Sequence, residues 1–159
     1  MQIRNIESKD NHRIAEIIRH ALVENKLDIP GTAYFDPELE KLSDYYKIPG
    51  RSYYVVVNDK DESVGGAGFA EYIPDQKIAE LQKLYLSPEV RGHHLGEQLV
   101  LTVEKMAKAA GYEKIALETH SNLKAAIHLY KKLGYTKLNA PLTNSTGHNA
   151  MDQFYIKTL

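Results

Sequence analysis

Cysteine is absent from the 159-residue chain. Disulfide staples, CxxC redox pairs, cysteine-liganded zinc and thiolate nucleophiles are excluded with it, so any covalent chemistry must use oxygen or nitrogen. Long apolar runs are absent too: no window approaches the ~18 apolar residues of a membrane span. The opening MQIRNIESKDNHR is polar where a secretory signal needs an apolar stretch. A cytoplasmic chain with no membrane partner is expected. Neither charge sign dominates, with 20 Lys+Arg against 21 Asp+Glu and a net charge of -1. That balance is unlike a domain built to coat a polyanion, and no nucleic-acid partner is expected. The seven histidines form no HxxxH or HExxH pattern, so no metal site is expected. No repeat, low-complexity tract or Pro/Gly/Ser-rich linker divides residues 1–159, which read as one domain.

What is present is an alternation of periods. A strand over Gln2 to Ile6 leads, from Ser8 or Asp10, into a helix whose apolar residues Ile14, Ile17, Ile18, Ala21 and Leu22 share one face. After the Leu27 to Phe35 loop, Asp36 as N-cap and Pro37 at the first helical position predict a short helix ending near Tyr46. Leu39, Leu42 and Tyr46 form its apolar side. Three strands follow, Ser52 to Asn58, Val64 to Tyr72 and Ile78 to Leu86, in the manner of an antiparallel meander. A helix over Gly96 to Ala110 carries the stripe Leu95, Leu99, Val103, Met106 and Ala110, with Glu97, Glu104, Lys105 and Lys108 off it; Gly111 caps its end. A strand (Lys114 to Thr119), a helix (Asn122 to Leu133, stopped by Gly134) and a last strand (Met151 to Lys157) complete the order β-α-α-β-β-β-α-β-α-β. A strand-helix-strand crossover near the end predicts one parallel pair. The fold class is therefore α/β (α+β): a mixed, mostly antiparallel, twisted sheet of about six to seven strands with helices on both faces.

The run LYLSPEVRGHHLGEQ, Leu84 to Gln98, is a strand that enters a glycine-containing turn and leaves as a helix. Such a turn aims free backbone N–H groups, backed by the helix dipole, at one point suited to a phosphate. Arg91 adds a permanent charge, and Gly92 and Gly96 permit close approach. The same glycines also serve a plain helix start, and spacing alone does not separate the two.

Together with AAIHLYKKLGY (Ala125 to Tyr135), this segment resembles the signature pair of the GNAT family of acyl-CoA N-acyltransferases. The likeness runs over nearly the whole chain. Arg91 and Gly96 match the ends of the family's [QR]xxGx[GA] pyrophosphate motif, while His94 replaces its middle glycine. The resemblance implies that acetyl-CoA is the cosubstrate, held by Arg91, Gly92, His93, His94, Leu95 and Gly96. The backbone of Leu84, Tyr85 and Leu86 then pairs with the pantetheine arm as a missing strand would. It also places Asn122 near the coenzyme, one position before the family's asparagine; by its own chemistry Asn122 caps the helix it begins.

The resemblance implies the catalytic groups as well. Tyr130 matches the tyrosine whose hydroxyl approaches the coenzyme sulfur and acts as acid, although it also continues a helical core stripe. Glu80 lies where the histone-acetylating members keep their base, and Glu118 where the ribosomal-protein acetyltransferases keep theirs. Glu80 is preferred, since partial burial raises its pKa toward a useful value; Glu71 stands third. The acceptor is expected between Leu27 to Tyr46 and Asn139 to Asp152. Tyr34, Phe35, Tyr45 and Tyr46 offer an aromatic wall there, Asp36, Asp44 and Asp152 offer carboxylates, and His148 offers a polar loop group. A small primary amine or amino-acid-like molecule fits such a wall. The implied activity is N-acetyl transfer by direct attack in a ternary complex, and relatives commonly form homodimers. Two alternatives remain: a non-catalytic acyl-CoA sensor and a protein N-acetyltransferase.

Overall fold

A computed structural model describes residues 1–143 and 147–159. Its seven strands are β1 (Gln2–Asn5), β2 (Ser52–Val57), β3 (Ser63–Ile73), β4 (Ile78–Leu86), β5 (Lys114–Thr119), β6 (Thr136–Leu138) and β7 (Gln153–Thr158). Four α-helices accompany them: α1 (Asn11–Glu24), α2 (Leu42–Tyr45), α3 (Leu95–Ala109) and α4 (Lys124–Lys132). The strands lie in the order β1-β2-β3-β4-β5-β7-β6. Every neighbouring pair is antiparallel except β4/β5, which the α3 crossover makes parallel. The expected class, strand number and single parallel pair therefore hold.

β2 shows why both faces are covered. Its residues alternate sides: Tyr53, Val55 and Val57 pack against α1 and the segment after it. Tyr54 and Val56 pack with Leu99, Val100 and Val103 of α3. A strand buried on both sides needs no polar residue.

Several local expectations change. Asp36 is not an N-cap; a 3-10 turn at Leu39–Lys41 precedes a one-turn α2, and the Asp36 carboxylate is paired elsewhere, as described below. On α3 the buried stripe is Leu95, Leu99, Val100, Val103 and Ala107, while Met106 is exposed. Glu104, expected off that stripe, is buried, where it accepts from the Tyr135 hydroxyl at 2.9 Å and from Lys157 Nζ at 3.0 Å. Asn122 caps nothing; its amide donates to the Asn25 carbonyl at 2.9 Å, and Leu123 stands at the N-cap of α4. The short β6, absent from the sequence reading, pairs with β7 at the sheet edge.

One irregularity shapes the molecule. Between the pairs Gly66↔Tyr85 and Gly68↔Gln82, the single residue Ala67 of β3 faces Lys83 and Leu84 of β4, a β-bulge. Lys83 adopts the left-handed conformation, with φ 53°. The Tyr53 hydroxyl donates to the Lys83 carbonyl at 2.8 Å. To do so its ring crosses β3 where a Cβ on Gly66 would stand 2.4 Å from Cε1, and one on Gly68 2.6 Å from Cδ2. Those two glycines are therefore the bed of the tyrosine ring. The pairing of β4 with β5 stops at Glu80↔Ala116, just before the bulge.

Removing only the hydroxyl, in Tyr53→Phe, should cost about 1 kcal/mol because the bulge carbonyl loses its donor. Gly66→Ala displaces the ring itself and should cost more, roughly 2–3 kcal/mol. Urea denaturation of both variants checks the order.

Candidate active site

Where β4 and β5 part, a cavity of about 530 Å³ opens. Its walls are the outer edge of β4 from Leu81 to Leu86, the start of α3, the face of α4 and the end of β5. Each wall brings a different chemistry.

The β4 edge contributes backbone groups that no strand pairs after Glu80. Tyr85 and Leu86 pair on their other side with Gly66 and Gly65 of β3, so the free edge is held straight and offers donors and acceptors to an amide-bearing chain. At its end the turn to α3 is built from residues 91 to 94. Gly92 has φ 82° and His94, the residue before the helix, has φ 61°. His94 thus adopts the left-handed conformation natural to glycine, and the turn keeps its shape despite the substitution. The first N–H groups of α3, from Leu95 and Gly96 onward, point from the helix N-terminus without intrahelical partners. A Cβ on Gly96 would meet Leu129 at 3.4 Å and Leu86 at 3.8 Å, so the glycine leaves space on the cavity wall.

Arg91 is engaged within the protein. Its guanidinium makes a two-pronged bond to Glu24 at 2.9 and 3.0 Å and donates to the Leu86 carbonyl at 3.0 and 3.1 Å. It ties the end of α1 to the end of β4. His93 and His94 are exposed, and only His94 lines the cavity. Side chains that the sequence reading missed come from α4, where Lys124, His128 and Lys132 repeat every four residues and line the cavity together. Their i, i+4, i+8 spacing was the available signal. Lys132 also pairs with Glu97 at 2.7 Å. Asn122 does not line the cavity.

Tyr130 lies at the inner end. Its residue is 5% exposed, yet its side lines the cavity, and its hydroxyl makes no hydrogen bond among the described residues. Burial pushes the phenol's pKa well up, with the nearby Tyr85 adding to it, so the group stays an O–H donor.

The two glutamates share a sheet face. Glu80 pairs with Ala116, and Glu118 is two residues further along β5, hence on the same side. Glu118 lines the cavity and accepts from the Tyr72 hydroxyl at 2.6 Å. Glu80 lies just beyond it. Burial raises its pKa, and the Glu118 charge adds to that, against a bond from Gln82 that lowers it. Gln82 Nε2 donates to Glu80 at 2.6 Å while Gln82 Oε1 accepts from Tyr46 at 2.7 Å. Neither contact was visible in the sequence. Glu71 is removed from consideration as a base: Arg51 grips it, with one bond at 2.8 Å, and holds its pKa down.

On the acceptor side, expectation and structure diverge. Asp36 is held between Lys83 Nζ at 2.9 Å and His148 Nε2 at 2.8 Å. Lys83 is buried. The Ala150 N–H donates to the Gly31 carbonyl at 3.1 Å, so the Leu27 to Phe35 loop and the loop before β7 close over this side together. Tyr34 packs into the core and edge-on to Phe35, at 5.0 Å between ring centres. Phe35 is exposed, and Tyr46 is buried with its hydroxyl committed to Gln82. Tyr45 stacks under Arg51, and Asp44 is exposed. Asp152 faces away from the cavity and accepts from Ser121 N–H and Oγ at 2.8 and 2.9 Å. Of the Thr143 to Asn149 loop, residues 144–146 lie outside the described residues. Among the described residues no cluster suits a metal ion, and no helix is long and apolar enough to cross a membrane.

The open strand edge, the helix N-terminus with a basic helix beside it, and a buried tyrosine at the inner end define an acyl-CoA-dependent N-acetyltransferase. Residues 15–135 match the Acetyltransferase (GNAT) family, and the chain belongs to that family. It is 37% identical over 148 residues to the uncharacterized N-acetyltransferase YjgM of Escherichia coli, covering 92% of this chain and 87% of that one. Its fold is similar to that of a GNAT-family acetyltransferase from Staphylococcus aureus, with TM-score 0.86, 20% identity and 99% and 98% of the two chains covered. It is also similar to a GNAT superfamily phosphinothricin acetyltransferase from Sinorhizobium meliloti, solved in complex with AcCoA, with TM-score 0.77, 19% identity and coverage of 99% and 88%.

His94→Gly should stabilise the chain by about 0.5–1 kcal/mol, the relieved left-handed strain less the added freedom of the unfolded glycine; thermal and urea unfolding check it. The Asp36 pair predicts a pH dependence. Asp36 raises the folded pKa of His148, so its contribution is full below the ordinary histidine value of ~6.5 and fades as pH rises through the raised one. Melting temperatures across roughly pH 5 to 8 should therefore show a decline that Asp36→Asn flattens.

Proposed function

We propose that this chain transfers an acetyl group from acetyl-CoA to a primary amine of a small, cationic molecule, by direct attack in a ternary complex. The observation that carries this reading is the continuity of one cavity. It runs from the helix N-terminus and the Lys124, His128, Lys132 face, along the unpaired edge of β4, to Tyr130 and Glu118.

The residues divide the work accordingly. Backbone N–H groups of the turn and of Leu95 and Gly96 receive the pyrophosphate, with His94 and the α4 cations beside them. Backbone groups from Leu84 to Leu86 pair with the pantetheine amides, and this aligns the thioester with the inner end. Glu118 holds the incoming ammonium and Glu80, its pKa raised, accepts the proton through water. The neutral amine then forms the C–N bond and the C–S bond breaks; the Tyr130 O–H protonates the departing thiolate, and the second proton, lost by the acylated nitrogen, returns through water to the Tyr130 oxygen.

A small acceptor is supported by the closure of the two loops through Gly31 and Ala150 and through Asp36 and His148. A cationic one is supported by Glu80 and Glu118 at that end, since Lys83 and His148, the positive groups facing them, are already paired with Asp36.

Acetyl-CoA alone should raise the melting temperature, and Gly96→Val, which fills the cavity wall, should abolish that rise. With an amine found by CoA release across a panel of primary amines, Tyr130→Phe should lower kcat at least tenfold while leaving the acetyl-CoA affinity within about twofold. Undiminished turnover in Tyr130→Phe would remove the acid assignment. Stabilisation by acetyl-CoA with no CoA release on any amine would favour a sensor.

A further inference from the structure

Glu80 receives its one hydrogen bond among the described residues from a side-chain amide, and an amide has two ends. Gln82 either turns its NH₂ toward Glu80, which favours the carboxylate, or turns its C=O, which favours the carboxylic acid. The choice is decided one residue further out. Tyr46 is buried, at 5% exposure, and its hydroxyl lies 2.7 Å from the other end of the amide. Its proton has no other acceptor among the described residues. A buried O–H left without an acceptor is costly, so Tyr46 takes the C=O of Gln82 and thereby points the NH₂ at Glu80, at 2.6 Å.

We propose that Tyr46 and Gln82 form an orientation lock that aims a side-chain N–H at Glu80 and holds it as a hydrogen-bonded carboxylate. Both are positioning residues: Tyr46 acts through Gln82, and Gln82 through Glu80. The lock is aimed by packing. Tyr46 is wedged edge-on against Tyr45 at 4.8 Å and tilted against Tyr53 at 5.1 Å, so the ring cannot withdraw its hydroxyl. Tyr53 is the same residue that anchors the β4 bulge at Lys83. One aromatic cluster thus fixes both the divergence of β4 and the amide beside Glu80.

The groups facing Glu80 are few. Glu118 on β5 opposes its charge, and the neutral Tyr72 hydroxyl on β3 donates to Glu118. Lys83 on β4 and His148 from the loop before β7 favour it, and Tyr46 completes the set from the segment after α2. Tyr46→Phe changes none of these charges near neutral pH and keeps the ring, so it isolates the hydroxyl. Without it Gln82 turns over freely, and protonated Glu80 gains an acceptor.

This proposal says how Glu80 is tuned and rests on its reading as the base, so the deciding experiment is one that needs no acceptor. The full chain, labelled with side-chain carboxyl ¹³C glutamate and free of ligand, is titrated by NMR, with Glu80→Gln assigning the resonance. The Glu80 midpoint should rise by about one pH unit in Tyr46→Phe, the size of one charge-assisted hydrogen bond, and by at least as much in Gln82→Leu. Tyr45→Phe, whose ring packs on Tyr46 but which has no bond to Gln82, should leave it in place. A midpoint unchanged in Tyr46→Phe overturns the lock. Should that variant fail to fold, Gln82→Leu decides alone, and an unmoved midpoint there overturns it equally. If the midpoint moves while Glu80→Gln retains amine-dependent CoA release, the lock stands and the assignment of Glu80 as base falls.

Discussion

The bulge at Lys83 is the constraint on which the rest of the molecule depends. A β4 that ran straight would continue its parallel pairing with β5, and the sheet would close with no cavity between them. Instead a lysine is held in the left-handed region, which is unfavourable by roughly 1–2 kcal/mol, and β4 turns aside. Three elements hold it there. The Tyr53 hydroxyl from β2 takes the carbonyl, Gly66 and Gly68 of β3 make way for the ring, and Asp36 receives the buried ammonium. The last contact also draws in His148, so the distortion of β4 and the segment before β7 share one carboxylate.

Charge is distributed by the same economy. With a net charge of -1 the chain has no global field to draw in an anion. Arg91, the residue most suited by sequence to receive a phosphate, is already bound to Glu24. At the cavity mouth stand Lys124 and the Glu97-paired Lys132 of α4, beside the N–H groups that begin α3. At the inner end the carboxylates are graded by their partners. Glu71 is neutralised by Arg51 and Asp36 by Lys83 and His148, both with lowered pKa. Glu80 is the carboxylate among the described residues for which burial prevails and the pKa is raised.

The elements legible in the sequence were those governed by period and by local stops: α1, β2 to β5, α3 and its closing Gly111. The strand-turn-helix from β4 to α3 was legible because a strand, two glycines and a helix lie within fifteen residues of one another. What escaped notice depended on distant partners. Asp36 before Pro37 reads as a helix cap, but an ion pair with Lys83 and His148 outweighs a cap's single bond. Asp152 reads as a ligand for a cation, yet it spends both oxygens on Ser121. Glu104 looks like a surface residue of α3 until Tyr135 and Lys157 arrive from other elements. β6 is three residues long, too short for any period to show. Gln82 gave no signal at all, since an amide between Glu80 and Lys83 in a strand has no distinctive spacing.

The absence of cysteine and the shape of the cavity bear on the same point of mechanism. A relay through the enzyme needs a nucleophile that can carry the acyl group, and the chain supplies no thiolate. A direct transfer needs both reactants at once, approaching from different sides. The parting of β4 and β5 meets that need because it breaches the sheet: Tyr130 belongs to the core on the α3 and α4 face, while Glu80 and Glu118 project from the opposite one. Donor and acceptor can therefore occupy separate faces and meet only at the gap between two strands. Its width is fixed where pairing ends, at Glu80 and Ala116. The base candidate is thus also the last paired residue of the strand, and its backbone is held by the sheet on both sides while its carboxylate is oriented by Gln82. A proton acceptor so placed moves little when the reactants arrive, which is what a single-step transfer between two bound molecules demands.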